Sequence, residues 1–125
     1  MSDQLFIRLD VDNAGDAIEL ALFMNDYNTA QKTHDNIQDS VKKALKKIAD
    51  INSSEILMSG CDDILFKIEK ANYNPDLLQK LISDFKNETS LTLSIGIGRT
   101  LKDALINLKI AKMSGKNKIV HYEVD

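Results

Sequence analysis

Four aspartates are the residues of this sequence whose types and spacing suggest chemistry. Asp10 and Asp12 lie two positions apart at the end of an apolar run, and Asp62 and Asp63 are adjacent in a polar segment. Residues two apart on a β-strand point to the same face, so the first pair can present two carboxylates with the Val11 carbonyl between them. If the segment that carries the second pair lies beside this strand, all four carboxylates are expected to converge.

Converging carboxylates make chemical sense mainly as a metal site. Like charges at close range raise one another's pKa and destabilise the fold unless a cation lies between them. Carboxylate and carbonyl oxygens, completed by water, suit Mg²⁺ or Mn²⁺. One alternative stays open at this point: Asp and Asn are common in turns that follow strands, and Gly60-Cys61-Asp62-Asp63 can be read as a polar hairpin tip.

Two other features could bind phosphate groups. The segment Asn13-Ala14-Gly15-Asp16 precedes a predicted helix and could offer backbone N–H groups, although a helix start built from small residues is an equal alternative. Lys112 and Lys116 lie near the end of the last long predicted helix, where cations also simply complement the helix dipole. Neither feature indicates a function by itself.

The elements that must position these residues follow an alternating pattern. A central apolar strand is followed by two helices, a hairpin, a helix, a strand, a helix and a last strand. In residue numbers these are 5–11, 17–24, 37–48, the hairpin strands 55–59 and 64–69, a helix from 75, strand 91–98, a helix after 100 and strand 119–122, with the polar stretch 25–29 between the first two helices.

Several positions support these assignments. Asn74 before Pro75 is typical of a helix N-terminus, as is Thr100 three residues before an acid. In the helix after Thr100, three leucines are expected to face inward. Alternating Gly96 and Gly98 within a strand indicate close packing of a helix. The leucines are Leu101, Leu105 and Leu108.

A hairpin inside an alternating pattern predicts an α+β fold, with a mixed sheet and helices packed mainly on one face, as in ferredoxin-like folds. The 125 residues, 43% of them hydrophobic, predict one globular domain over 1–125. No apolar stretch approaches a membrane span, so we expect a cytoplasmic protein without a membrane partner. A net charge of −3 opposes binding of long nucleic acid but is compatible with a small polyphosphate.

Four motifs in order carry a resemblance to a known family. They are Leu9-Asp10-Val11-Asp12, Ser59-Gly60-Cys61-Asp62-Asp63, Leu93-Ser94-Ile95-Gly96-Ile97-Gly98 and Ala111-Lys112-Met113-Ser114-Gly115-Lys116-Asn117-Lys118. This set resembles GGDEF-type cyclases and, more closely, the polymerase palm of type III CRISPR complexes, whose hairpin tip reads Gly-Gly-Asp-Asp. A chain of this length is similar to the minimal CRISPR polymerase (mCpol) group. The resemblance implies a ferredoxin-like palm domain with a mixed, mainly antiparallel five-stranded sheet.

The resemblance also implies roles for individual residues. Asp10, Asp62 and Asp63 are expected to be catalytic. Lys112 and Lys116 match residues that bind the β- and γ-phosphates, next to the Asn13-Ala14-Gly15-Asp16 segment. The implied metal ligands are Asp10, the Val11 carbonyl and Asp62, with Asp63 beside them and Asp12 as a nearby acid.

The activity that the resemblance implies is nucleotidyl transfer assisted by two Mg²⁺ or Mn²⁺ ions. Nucleoside triphosphates would be condensed to a cyclic di- or oligonucleotide second messenger, by a homodimer with the site at its interface, in bacterial antiviral defence. The Asn and Asp with which diguanylate cyclases read guanine are not recognisable in residues 13–18, so ATP is the expected substrate. The alternatives are a receiver-like signalling domain and a palm that binds nucleotide without turnover.

Overall fold

The computed structural model describes residues 3–121 and is built on a five-stranded sheet with the order β2-β3-β1-β4-β5. The central strand β1 runs antiparallel to both of its neighbours, β2 is antiparallel to β3, and only β4 and β5 are parallel. The predicted α+β fold with a mixed, mainly antiparallel sheet is therefore confirmed. The strands are β1 Gln4–Val11, β2 Glu55–Ser59, β3 Asp63–Glu69, β4 Leu93–Gly98 and β5 Ile119–Val120.

Four α-helices connect the strands, and the predicted capping residues begin two of them. The Asn74 side chain accepts a hydrogen bond from the Asp76 N–H at 3.0 Å, and Thr100 Oγ1 accepts one from the Asp103 N–H at 3.1 Å. The helices are α1 Ala14–Phe23, α2 Tyr27–Ala49, α3 Pro75–Thr89 and α4 Leu101–Met113; a 3₁₀ turn, Lys70–Asn72, precedes α3.

The start of α2 differs from the sequence prediction. Residues 25–29 were expected to lie between two helices, but α2 already begins at Tyr27. Asp26 explains the difference, because its carboxylate accepts hydrogen bonds from both the backbone N–H and the hydroxyl of Thr29. A polar stretch thus serves as an N-cap and first turn rather than as a loop.

One face of the sheet carries the main core. Alternate side chains of β1 are buried, as expected for a strand that is covered on one side. They pack with apolar residues of β3 and β4 and with the inner faces of α2 and α3, while Ala14 of α1 extends the same cluster. The buried β1 residues are Leu5, Ile7, Leu9 and Val11.

The opposite face is covered only in part, by α4 lying on β4. A Cβ at Gly96 would overlap backbone atoms of Leu108 and Ala104, which confirms that the strand glycines allow a helix to pack closely. Because the approach is so close, small residues face the sheet. Leu101 and Leu105 point outward and are 53% and 36% exposed, so the inward orientation predicted for them is wrong, whereas Leu108 is buried as predicted.

Helices therefore lie mainly on one face, as predicted, and the β1–β3 part of the other face stays half exposed with Arg8, Asp10 and Asp63 on it. The last strand is shorter than predicted, and Tyr122, where it was expected to end, lies outside the described residues. None of the helices within residues 3–121 combines the length and the apolar composition that a membrane span requires.

Candidate functional site

Three of the four predicted acids lie together at one edge of the sheet. Asp10 is directly opposite Asp63 in the antiparallel pairing of β1 with β3, so both side chains project from the same face. The Val11 N–H donates to the Asp62 carbonyl at 2.9 Å, which extends the pairing to the hairpin tip. Asp62 is thereby held at the end of β1, with its side chain exposed to solvent.

The hairpin tip depends on Gly60. Its N–H donates to the Asp63 carbonyl at 3.0 Å and closes the turn. A Cβ at this position would overlap Oδ1 of Asp63. Cys61, which follows, is exposed, and the Gln38 side-chain amide lies 3.6 Å from its sulfur. Gly60 therefore leaves room for the Asp63 carboxylate, and Cys61 takes no part in positioning the acids.

Lys112 reaches the same edge from the last turn of α4. Its ammonium donates to Asp12 Oδ1 at 2.7 Å and to the Val11 carbonyl at 3.1 Å, and it lies 3.2 Å from Asp10 Oδ2. Three oxygens from the end of β1 thus converge on one cation. A metal ion could bind beside the ammonium or compete with it, because the Asp10 and Val11 oxygens belong to the predicted ligand set.

Asp12 has surroundings unlike those of the other acids. Its side chain is 1% exposed, and it accepts hydrogen bonds from the hydroxyls of Thr92 and Ser94 at 2.6 and 2.7 Å and from the Asn117 N–H at 3.0 Å, in addition to Lys112. Burial raises the pKa of Asp12, but these hydrogen bonds, led by that of Lys112, outweigh it and hold the pKa below its usual value. Asp12 is therefore buried, whereas Asp10, Asp62 and Asp63 are partly or fully exposed.

The turn between α4 and β5 makes this arrangement possible. Gly115, Lys116 and Asn117 all have positive φ, at 114°, 61° and 51°. Two successive left-handed residues other than glycine are uncommon and require support from their surroundings. The support here is the hydrogen bond from the Asn117 N–H to Asp12, together with one from the Lys116 N–H to the Ala111 carbonyl at 2.9 Å.

Asp10 is less favourably placed than Asp12 to carry its charge. Burial raises the pKa of its carboxyl above the usual value; Lys112 offsets part of this rise, and the charges of Asp62 and Asp63 add to it. Within residues 3–121, no group of three or more His, Cys, Asp or Glu side chains forms a ready-made metal cage. The oxygens that do converge on the Lys112 ammonium come from two carboxylates and a backbone carbonyl, donors that fit Mg²⁺ or Mn²⁺.

The other predicted phosphate-binding residues lie at the start of α1 and in the turn after α4. The Lys116 ammonium donates to Asn13 Oδ1 at 2.6 Å, and Asn13 itself has a left-handed backbone with φ of 61° just before α1. Ala14 is buried, whereas Gly15 and Asp16 are exposed in the first turn of α1. The structure thus brings Lys116 to the N-terminal end of α1, where N–H groups favour an anion.

A cavity of about 180 Å³ opens beside these elements and was not predicted from the sequence. It lies between the first turn of α1 and the middle of α2, next to the hairpin tip. His34 and Gln38, one helical turn apart on α2, are its polar residues from that helix. The only sequence signal was their spacing next to the apolar stripe of α2. The lining residues are Ala14, Gly15, Ile18, His34, Ile37, Gln38, Cys61 and Asp62.

Arg8 was also missed. It lies on the same face of β1 as Asp10, two positions earlier, and its Nη2 is 3.9 Å from Asp63 Oδ2. The period of two along the strand was a sufficient signal for this placement. Thr92, Ser94 and Asn117, the partners of Asp12, had no such local signal because they are distant in sequence.

The sheet order and the acids at a hairpin tip beside β1 define a palm domain of the nucleotide cyclase and polymerase kind. The antiparallel pairing of β1 with both neighbours excludes a receiver-like domain, whose strands are parallel. The mCpol model, described as the minimal CRISPR polymerase domain, matches residues 6–122, and the chain belongs to this family. A comparison with curated proteins found no match.

Solved structures share the fold at low sequence identity. The crystal structure of Csm1 in T. onnurineus has a TM-score of 0.74 at 18% identity, covering 93% of this chain and 20% of that one. A diguanylate cyclase/phosphodiesterase from Caldicellulosiruptor saccharolyticus has a TM-score of 0.68 at 17% identity, and the match covers 98% of this chain and 77% of that one. A Csm1-Csm4 cassette in complex with one ATP has a TM-score of 0.67 at 20% identity, and the match covers 94% of this chain and 20% of that one. The chain thus spans only about a fifth of the Csm1 chains it matches.

Proposed function

We propose that this chain is a metal-dependent nucleotidyltransferase that condenses ATP into a cyclic di- or oligonucleotide and releases pyrophosphate. The observation that carries the proposal is the juxtaposition of Asp10, Asp62 and Asp63 with the Lys112 ammonium at the end of α4. Membership of the minimal CRISPR polymerase family supports the same reaction type. The whole of residues 1–125 is proposed to act as one palm domain in the cytoplasm.

The metal would be held by Asp10, the Val11 carbonyl and Asp62, with Asp63 adjacent. When bound, two Mg²⁺ ions would lower the pKa of the attacking ribose hydroxyl and neutralise charge on the α-phosphate. Burial, the largest cause, raises the pKa of Asp10, so its charged form is disfavoured and a nearby cation would favour it. Together with the position of Asp10 opposite Asp63, this supports its role as a ligand.

The lysines and the start of α1 would bind the leaving group. In the reaction, a bond forms between the ribose oxygen and the α-phosphorus, the α–β phosphoanhydride bond breaks, and pyrophosphate departs. Lys112 and Lys116 would neutralise charge on the departing phosphates, and the N–H groups that begin at Ala14 would add hydrogen bonds. The hydroxyl proton passes to solvent or to a nearby carboxylate.

The cavity between α1 and α2 supports adenine as the base. Ile18 and Ile37 supply apolar walls for a planar ring, and Asp62 places the cavity beside the acids. Gln38 offers one donor and one acceptor, the pattern with which an amide pairs with adenine N6 and N7. The Csm1-Csm4 cassette that holds one ATP is a relative in fold that binds the same nucleotide.

A cyclic product requires at least two nucleotides, and each must be attacked once at its α-phosphorus. We therefore propose a homodimer that places one site opposite another. Apolar side chains at the end of α1 offer a surface for such a contact: they are strongly exposed and adjacent, which is typical of interaction surfaces. Leu20, Phe23, Met24 and Tyr27 are 63%, 81%, 73% and 67% exposed. The product would serve as a second messenger in bacterial antiviral defence, a role supported by the family.

The test is incubation of the purified chain with ATP and Mg²⁺, followed by measurement of pyrophosphate and mass spectrometry of a phosphatase-resistant product. Asp62→Ala should abolish both signals, while Asp50→Ala, which removes an exposed carboxylate at the end of α2, should leave both unchanged. Absence of pyrophosphate with all four ribonucleotides would contradict the proposal. ATP binding without turnover would instead support a palm that only binds nucleotide.

A further inference from the structure

Asp12 differs from its neighbour Asp10 in what it can still bind. Both oxygens of Asp12 already accept hydrogen bonds, two at Oδ1 from Ser94 and Lys112 and two at Oδ2 from Thr92 and Asn117. A carboxylate has about four lone-pair sites, so this one is saturated. Its side chain is 1% exposed, which leaves no surface for a hydrated metal ion.

Asp10, in contrast, keeps an open side. Its side chain is 32% exposed and shares Lys112 with Asp12 at a longer distance, 3.2 Å against 2.7 Å. The Lys112 ammonium therefore has one short contact to a saturated, buried carboxylate and two longer contacts to oxygens at the open edge, those of Asp10 and Val11.

We propose that Asp12 is a positioning residue for Lys112 and not a metal ligand, an assignment that rests on the proposed function. Metal binding would engage Asp10 and the Val11 carbonyl and remove two of the three oxygens that hold the ammonium. Asp12 would keep the third, so Lys112 would stay in place at the site, where its remaining N–H groups could donate to the leaving phosphates. Thr92, Ser94 and Asn117 in turn hold Asp12, which ties the position of Lys112 to β4 and to the α4–β5 turn.

A metal titration distinguishes a metal ligand, Asp10, from a positioning residue, Asp12, and requires no turnover. Binding of Mn²⁺ alone, followed by the electron paramagnetic resonance signal of free Mn²⁺, should weaken at least about tenfold in Asp10→Asn. In Asp12→Asn, which keeps the size of the side chain, the dissociation constant should stay within about threefold of wild type. Equal loss in the two variants would overturn the proposal, because it would make Asp12 a ligand.

A double-mutant cycle tests whether Asp12 acts through Lys112. Asp12→Asn should lower kcat/KM for ATP about tenfold or more, and Lys112→Gln should lower it at least as much. The kcat/KM of the double variant should be no lower than that of Lys112→Gln alone, because Lys112→Gln already removes the ammonium that Asp12 holds. Additive losses, or an unchanged kcat/KM in Asp12→Asn, would overturn the proposal.

The control for lost stability is Leu78→Ala, which removes a core side chain on the opposite face of the sheet and should keep kcat/KM within about threefold while lowering Tm. If wild type releases no pyrophosphate with any nucleotide, the proposed function fails by itself. The Mn²⁺ titration and the same cycle, measured as ATP affinity by calorimetry, then still decide whether Asp12 positions Lys112.

Discussion

Asp10 and Asp63 face each other across the β1–β3 pairing, so two carboxylates project from one face of the sheet with Lys112 on one side and Arg8 on the other. Directly opposite like charges destabilise an antiparallel pair. Here the arrangement persists at the edge where the proposed chemistry takes place. The cost of holding these carboxylates together is therefore measurable as stability.

Removing the Asp10 charge should stabilise the protein when no metal is present. The folded-state pKa of Asp10 is raised, first by burial, above the ordinary 3.8, so its ionised form is disfavoured at neutral pH. Asp10→Asn should raise Tm in EDTA at pH 7, and the difference should shrink as the pH falls through the raised pKa towards 3.8. A Tm series between pH 7 and 4 tests this. An unchanged or lower Tm for the variant at pH 7 would contradict it.

Asp12 should have the opposite pH dependence. Its folded-state pKa lies below 3.8, so its ionised form adds stability that is complete above 3.8 and is lost as the pH falls through the lower folded value. Asp12→Asn should cost about 2 kcal/mol in the free energy of unfolding at pH 7. Urea unfolding at pH 7 and 5 should show the same difference, and the difference should narrow only below pH 4.

Gly96 should tolerate no side chain. A Cβ there would overlap the backbone of α4, so Gly96→Ala should destabilise the fold by about 3 kcal/mol. Gly15 is the matched control, because a Cβ in the first turn of α1 meets nothing within 4 Å, and alanine should stabilise the helix there by about 0.5 kcal/mol. Urea unfolding of both variants measures the contrast. Equal effects at the two positions would show that α4 does not pack on β4 as described.

Base preference should depend on Gln38. Gln38→Glu keeps the shape of the side chain but removes its donor, so pairing with adenine weakens while an acceptor for the N–H groups of guanine is gained. The ratio of kcat/KM for ATP over GTP should fall about tenfold. Pyrophosphate release with each nucleotide alone measures it. Gln79→Glu, an exposed position on α3, should keep the wild-type ratio, and an unchanged ratio in Gln38→Glu would show that this residue does not read the base.

Much of the fold was predictable because its signals are local. The alternation in β1 and β4, the polar hairpin tip and the caps at Asn74 and Thr100 are each encoded within a few residues. The structure has both strands, the hairpin and both caps, although β4 is buried at every position and not only at alternate ones. The start of α2 was missed because a polar stretch can be either a loop or a capped first turn. The capping hydrogen bonds of Asp26 decide between them.

By itself, the sequence determined which acids exist, that Asp10 shares a strand face with its neighbours two positions away, and that a hairpin carries Asp62. Only the tertiary structure decided that Asp12 turns inward and that Lys112 joins it from a position 100 residues later. The outward turn of Leu101 and Leu105 was decided in the same way, by the close approach of α4 to two glycines. Such contacts depend on how elements distant in sequence pack together, and the local periodicity of the sequence does not predict that packing.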